Sequence, residues 1–135
     1  MSIQILLVED EKISARLVSS ALQNEGYEVT LASNGVEGLK KATQKHPDLV
    51  ILDVMLPGLD GFEVCQRLKD QPETAETPVL MLSAKDQESD VAAGKKVGAD
   101  VYLLKSSDLT KILAAVKDLL SADRSITVSQ SGPGN

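Results

Sequence analysis

The sequence predicts an α/β protein built on a doubly wound, five-stranded parallel sheet. Three observations carry that expectation. Five short strand-like segments alternate with longer stretches of helical periodicity, as parallel strands joined by helical crossovers require. Most are nearly continuous apolar runs, as in a sheet covered on both faces. Four also stop on a residue with phosphate or metal chemistry: Ile5-Leu6-Leu7-Val8 at Glu9-Asp10, Leu49-Val50-Ile51-Leu52 at Asp53, Val79-Leu80-Met81-Leu82 at Ser83, and Val101-Tyr102-Leu103-Leu104 at Lys105. In open sheets of this kind, ligand chemistry collects at the carboxyl ends of the strands.

The elements follow in order. After the first strand, Ile13, Leu17, Val18, Ala21 and Leu22 trace one face of a helix that Gly26 closes. Tyr27 to Ala32 alternates and is rich in β-formers, giving a second strand, and Val36 and Leu39 belong to a second helix. Pro47 turns the chain into the third strand. Leu56-Pro57-Gly58-Leu59-Asp60-Gly61 then breaks regular structure abruptly, and a third helix carries Phe62, Cys65 and Leu68 inward. Pro72 and Pro78 bracket a loop before strand four. Val91, Ala92 and Val97 outline a fourth helix with a thin apolar face, ending near Gly98. The strongest amphipathic pattern is Leu109, Ile112, Leu113, Val116, Leu119 and Leu120, with Asp108 as its N-cap. One domain is expected over residues 1–121. The polar tail, 122–135, ends in Gly-Pro-Gly-Asn and is expected to be disordered.

Composition narrows the function. A chain of 135 residues with one Phe, two Tyr and no Trp builds its core from aliphatic side chains. A net charge of −6 without a basic patch argues against direct binding to nucleic acid. No apolar stretch is long enough to span a bilayer and no leader-like segment opens the sequence, so a cytoplasmic protein without a membrane partner is expected. The single cysteine, Cys65, can form no internal disulfide and reads as core packing, while His46 reads as a loop side chain.

Asp53 stands at the middle of the strand-end set. An isolated aspartate there is ordinarily a helix cap or a solvated loop residue, but beside a hydroxyl, an ammonium and two more acids it can serve as a nucleophile toward phosphorus. Glu9 and Asp10 in its company create a conflict: like charges about 4 Å apart repel by roughly 4 kcal/mol at an effective dielectric of 20. Such a pocket calls for a counterion. Mg²⁺ suits it, because that ion takes oxygen ligands and keeps several waters.

Val8-Glu9-Asp10, the run Asp53 to Gly61, Ser83-Ala84, Gly98-Ala99-Asp100, and Tyr102 with Lys105 together resemble the receiver domain of two-component response regulators, in its stand-alone, chemotaxis-regulator-like form. The resemblance covers about residues 3–121. It implies a flavodoxin-like (βα)5 fold with strand order 2-1-3-4-5 and makes Asp53 the phosphoacceptor. It also implies Mg²⁺ held by Asp10, Asp53 and the backbone carbonyl of Met55, with Glu9 acting through water. Lys105 would pair with Asp53 and later with a phosphoryl oxygen, to which Ser83 would also donate. Tyr102 would rotate into the space that Ser83 vacates. The implied partners are a sensor histidine kinase or histidine phosphotransfer protein and a downstream protein target, with the chain a monomer or weak dimer. The expected protein is a signalling switch with no turnover of an external substrate.

The sequence departs from this pattern at Ser106, where the family usually has proline. A cis bond before a non-proline residue costs about 3 to 4 kcal/mol, so a trans Lys105–Ser106 bond is expected. Met55 and Lys85 occupy the positions that tune phosphoryl hydrolysis, and their side chains suggest a persistent phosphoryl state. Other functions fit less well. A phosphohydrolase would need an acid where Met55 stands, and Glu9-Asp10-Glu11 would repel a flavin phosphate. A receiver fold used only as a constitutive docking module is the remaining alternative.

Overall fold

The structure is a computed structural model that describes residues 2–84, 88–105 and 108–128. Five strands, β1 (Gln4–Val8), β2 (Glu28–Ala32), β3 (Leu49–Asp53), β4 (Val79–Ser83) and β5 (Val101–Leu104), alternate with five helices. These are α1 (Lys12–Asn24), α2 (Gly35–Lys45), α3 (Gly61–Asp70), α4 (Glu88–Lys96) and α5 (Leu109–Val128). All strand pairs are parallel, in the order β2-β1-β3-β4-β5. The expected doubly wound sheet and strand order are therefore present.

Period-two alternation sends successive side chains to opposite faces and so divides the core into two layers. Leu6, Val8, Val50, Leu52 and Met81 pack with Ala42, Val64, Cys65 and Leu68, beneath α2 and α3. Ile5, Leu7, Ile51, Leu80 and Leu82 pack with Val18, Leu22, Ile112, Val116 and Leu120, beneath α1 and α5. Every residue of β3 is buried, which explains why its run is uninterruptedly apolar up to Asp53.

Polar residues set where the helices begin. The side chains of Glu11, Asn34, Asp60 and Asp108 accept from the backbone N–H groups of Ser14, Glu37, Glu63 and Lys111. Each satisfies an amide that the first helical turn leaves without a partner. The expected N-cap at Asp108 is thus observed.

One expectation is corrected. Ile13 and Leu17, expected on one helical face with Val18, Ala21 and Leu22, are 69% and 56% exposed, and Ala15 and Ser19 are buried with Val18 and Leu22. Ile13 and Leu22 are nine residues apart, half a turn round the helix, so one face cannot hold both. Val36 and Leu39 lie in α2 as expected, with Val36 exposed at its start. The backbone of α5 runs from Leu109 to Val128, past the domain boundary expected at Ser121. No glycine or proline interrupts the chain before Gly132, so nothing in its covalent structure stops the helix at Ser121. Residues 129–135, Lys85 and the Lys105–Ser106 bond lie outside the described residues.

Candidate functional site

Strand register aligns the functional side chains. Val8 is opposite Leu52, Asp53 opposite Leu82 and Ser83 opposite Leu104. Glu9, Asp53, Ser83 and Lys105 therefore fall at successive carboxyl ends across β1, β3, β4 and β5. The order reverses between β1 and β3, and the crevice at such a switch point is where parallel sheets bind ligands.

Asp53 is 3% exposed and both of its carboxylate oxygens are held. Lys105 Nζ donates to Oδ2 at 3.0 Å, and the Met55 backbone N–H donates to Oδ1 at 3.2 Å. The same ammonium donates to Glu9 Oε2 at 3.0 Å, and the Glu11 N–H also donates to that oxygen, at 3.1 Å. Lys105 thus bridges two buried carboxylates. The sequence indicated its bond to Asp53 but not the one to Glu9.

Carboxylate oxygens of Glu9, Asp10 and Asp53 all lie within 4.8 Å of one another. Asp10 is exposed, so the cluster opens to solvent on one side while Glu9 and Asp53 form its floor. Burial pushes the Glu9 carboxyl above its ordinary range, and the Asp53 charge adds to that effect, only partly offset by the bonds from Lys105 and Glu11. Burial pulls the Lys105 ammonium down, but its bonds to Glu9 and Asp53 prevail and leave it raised, hence cationic. Three hard oxygen donors, with no histidine or cysteine among them, are a donor set that fits Mg²⁺.

The other candidates take different positions. Ser83 is completely buried at the end of β4, next to the strand that carries Asp53. The Met55 side chain is 55% exposed at the rim, while its backbone belongs to the site. Tyr102 packs into the layer beneath α2 and α3 and lies close to Gly94 of α4. That is the opposite face from its neighbours Val101 and Leu103, as alternation requires. His46 is the exposed C-cap of α2, and Cys65 is a buried core residue, so neither joins the site. No helix among the described residues is long and apolar enough to cross a membrane.

Comparison with known proteins agrees with this arrangement. Residues 5–117 match the model of the response regulator receiver domain. The chain is 46% identical over 120 residues to the alkaline phosphatase synthesis transcriptional regulatory protein PhoP of Bacillus subtilis, covering 89% of this chain and 49% of that protein. It spans about half the length of the first curated relatives that it matches. A response regulator structure from Chloroflexus aurantiacus superposes with a TM-score of 0.86 at 36% identity, covering 90% of this chain and 99% of that one. The receiver domain of the sensor histidine kinase PA1611 from Pseudomonas aeruginosa, solved with a magnesium ion coordinated in its active-site cleft, gives 0.83 at 25% identity, with 90% and 99% covered. With its fold, its row of strand-end residues and these likenesses, the chain belongs to the response regulator receiver domain family.

Proposed function

We propose that the chain accepts a phosphoryl group on Asp53 and, once phosphorylated, presents an altered face to a downstream protein target. The donor is the phosphorylated imidazole of a sensor histidine kinase or histidine phosphotransfer protein. The observation that carries this reading is the 3.0 Å pairing of buried Asp53 with Lys105 beside two further carboxylates. An Asp53 oxygen attacks phosphorus as the P–N bond to the imidazole breaks, leaving an acyl phosphate. Attack by water later breaks the P–O bond and regenerates the carboxylate with release of inorganic phosphate.

Bonds to both oxygens of Asp53 fix the direction from which the carboxylate can attack, a contribution of positioning. Asp10, Asp53 and the Met55 carbonyl would hold Mg²⁺, with Glu9 acting through water. The ion supplies charge neutralisation for the clustered carboxylates and the incoming phosphoryl oxygens. The magnesium in the PA1611 receiver supports this assignment. The Lys105 ammonium transfers its attraction from the carboxylate to a phosphoryl oxygen, and the Ser83 hydroxyl donates to another. Movement of Ser83 toward the phosphoryl group makes room for the Tyr102 ring, which couples the site to the surface around β5.

The test is incubation with Mg²⁺ and a small acyl phosphate, followed by intact mass measurement. One phosphoryl increment is expected on the wild type and none on Asp53→Ala or in the presence of a chelator. Absence of any Asp53-dependent adduct would overturn the assignment. Target binding without such an adduct would favour a constitutive docking module.

A further inference from the structure

The segment between β3 and α3 is held from two sides by glycines. Gly61, the first residue of α3, approaches the backbone of Asp53 so closely that a β-carbon on it would lie 2.3 Å from the Asp53 carbonyl oxygen and 2.6 Å from Val54 Cα. Gly35, the first residue of α2, reaches the far end of the same segment. A β-carbon there would lie 2.1 Å from the Leu59 carbonyl oxygen and 2.8 Å from Val64 Cγ2. Neither glycine has a positive φ, so space rather than backbone conformation is what excludes a side chain.

Between these two contacts lies the loop that carries Met55. Its start is tied down by the bond from the Gly61 N–H to the Val54 carbonyl, at 2.9 Å. Its end rests on α2 through Leu59. A backbone carbonyl cannot step aside as a flexible side chain can, so a methyl group at position 35 would push the loop back by roughly 1 Å to reach ordinary contact distance. Errors of that size are what a constellation held by short bonds does not tolerate.

We propose that Gly35 is a positioning residue for the Asp53 site. By letting the Leu59 carbonyl seat against the start of α2, it sets where the loop lies, and hence where Met55 presents its N–H to Asp53 and its carbonyl to the cation. The proposal rests on the reading of Asp10, Asp53 and Met55 as the Mg²⁺ site.

The experiment is a Mg²⁺ titration of the full chain, followed through the Met55 amide resonance and run well below every variant's unfolding midpoint. Gly35→Ala should weaken Mg²⁺ binding about tenfold or more. Gly98→Ala is the comparison: its φ of 97° and its contact with Lys69, at the amino edge of the sheet, make it destabilising without touching the loop. It should bind Mg²⁺ like the wild type. Gly35→Ala with wild-type affinity, or an equal loss in Gly98→Ala, would overturn the proposal. Absence of Asp10-dependent Mg²⁺ binding in the wild type would instead remove the cation site on which both readings depend.

Should Gly35→Ala fold poorly, the same titration in a His46→Gly background, which relieves a left-handed residue far along α2, keeps the comparison available. Failure to fold there as well would show that Gly35 serves the fold as a whole, and would likewise overturn the proposal.

Discussion

Burial pushes the Cys65 thiol from its ordinary 9.0 up to about 11. Its sulfur is enclosed beneath α3 and approaches the Val97 carbonyl at 3.5 Å. Between those two values the folded thiol keeps a proton that the unfolded thiol has lost, so rising pH favours unfolding. The associated stability is whole below pH 9 and declines toward pH 11, by an amount of order 2 kcal/mol. Urea unfolding at pH 7 and pH 10.5 should therefore show a larger loss for the wild type than for Cys65→Ala, since every other titrating group is common to both. Equal losses would mean that the thiol is not shielded as its burial implies. At this scale Glu9, Asp53, Ser83 and Lys105 were legible because each ends an apolar run. The bridge from Lys105 to Glu9 was not: β5 and β1 lie three spacings apart, roughly 14 Å in a flat sheet. Only sheet twist and two long side chains close that gap.

Helix α2 ends on a residue poorly suited to its conformation. His46, the C-cap, has φ 49° and ψ 61°, and its backbone N–H donates to the Ala42 carbonyl. A left-handed residue carrying a β-carbon costs roughly 1–2 kcal/mol, a penalty that glycine escapes. His46→Gly retains the backbone bond and removes only an exposed side chain, so unfolding in denaturant should show a gain of about 0.5–1 kcal/mol after glycine's greater chain entropy is counted. An unchanged or lower midpoint would contradict this. The elements themselves could be read from the sequence because strand runs and capping residues are local signals. The face that α1 turns to the sheet was misread. Ile13 and Leu22 lie half a turn apart round the helix, and the buried line is Ala15, Val18, Ser19 and Leu22, at i, i+3, i+4 and i+7, where two small residues weaken the apolar signal. Likewise, the sequence shows a glycine at position 35, but the carbonyl that requires it comes from Leu59, 24 residues later.

For the molecule as a whole, the open question is where the cooperative unit ends. The described core finishes at Leu120, which packs with Val116 against the sheet, while the backbone of α5 runs on to Val128. The family match closes at residue 117, inside the boundary proposed at residue 121. Residues 122–135 contain one Asp and one Arg, so their removal leaves the net charge at −6 and does not alter the long-range field at the acidic site. What a cut after Ser121 does change is the distance from Leu120 to a fraying helix end, whose last carbonyls have no helical partners. Deletion of 122–135 should accordingly cost less than about 1 kcal/mol, the scale of changes outside a packed core. It should leave Asp53 labelling by an acyl phosphate at the wild-type rate. A loss of several kcal/mol in urea unfolding would place the end of α5 within the cooperative unit. Slower labelling with stability unchanged would instead couple that extension to the Asp53 site, through the contacts of α5 beneath β5.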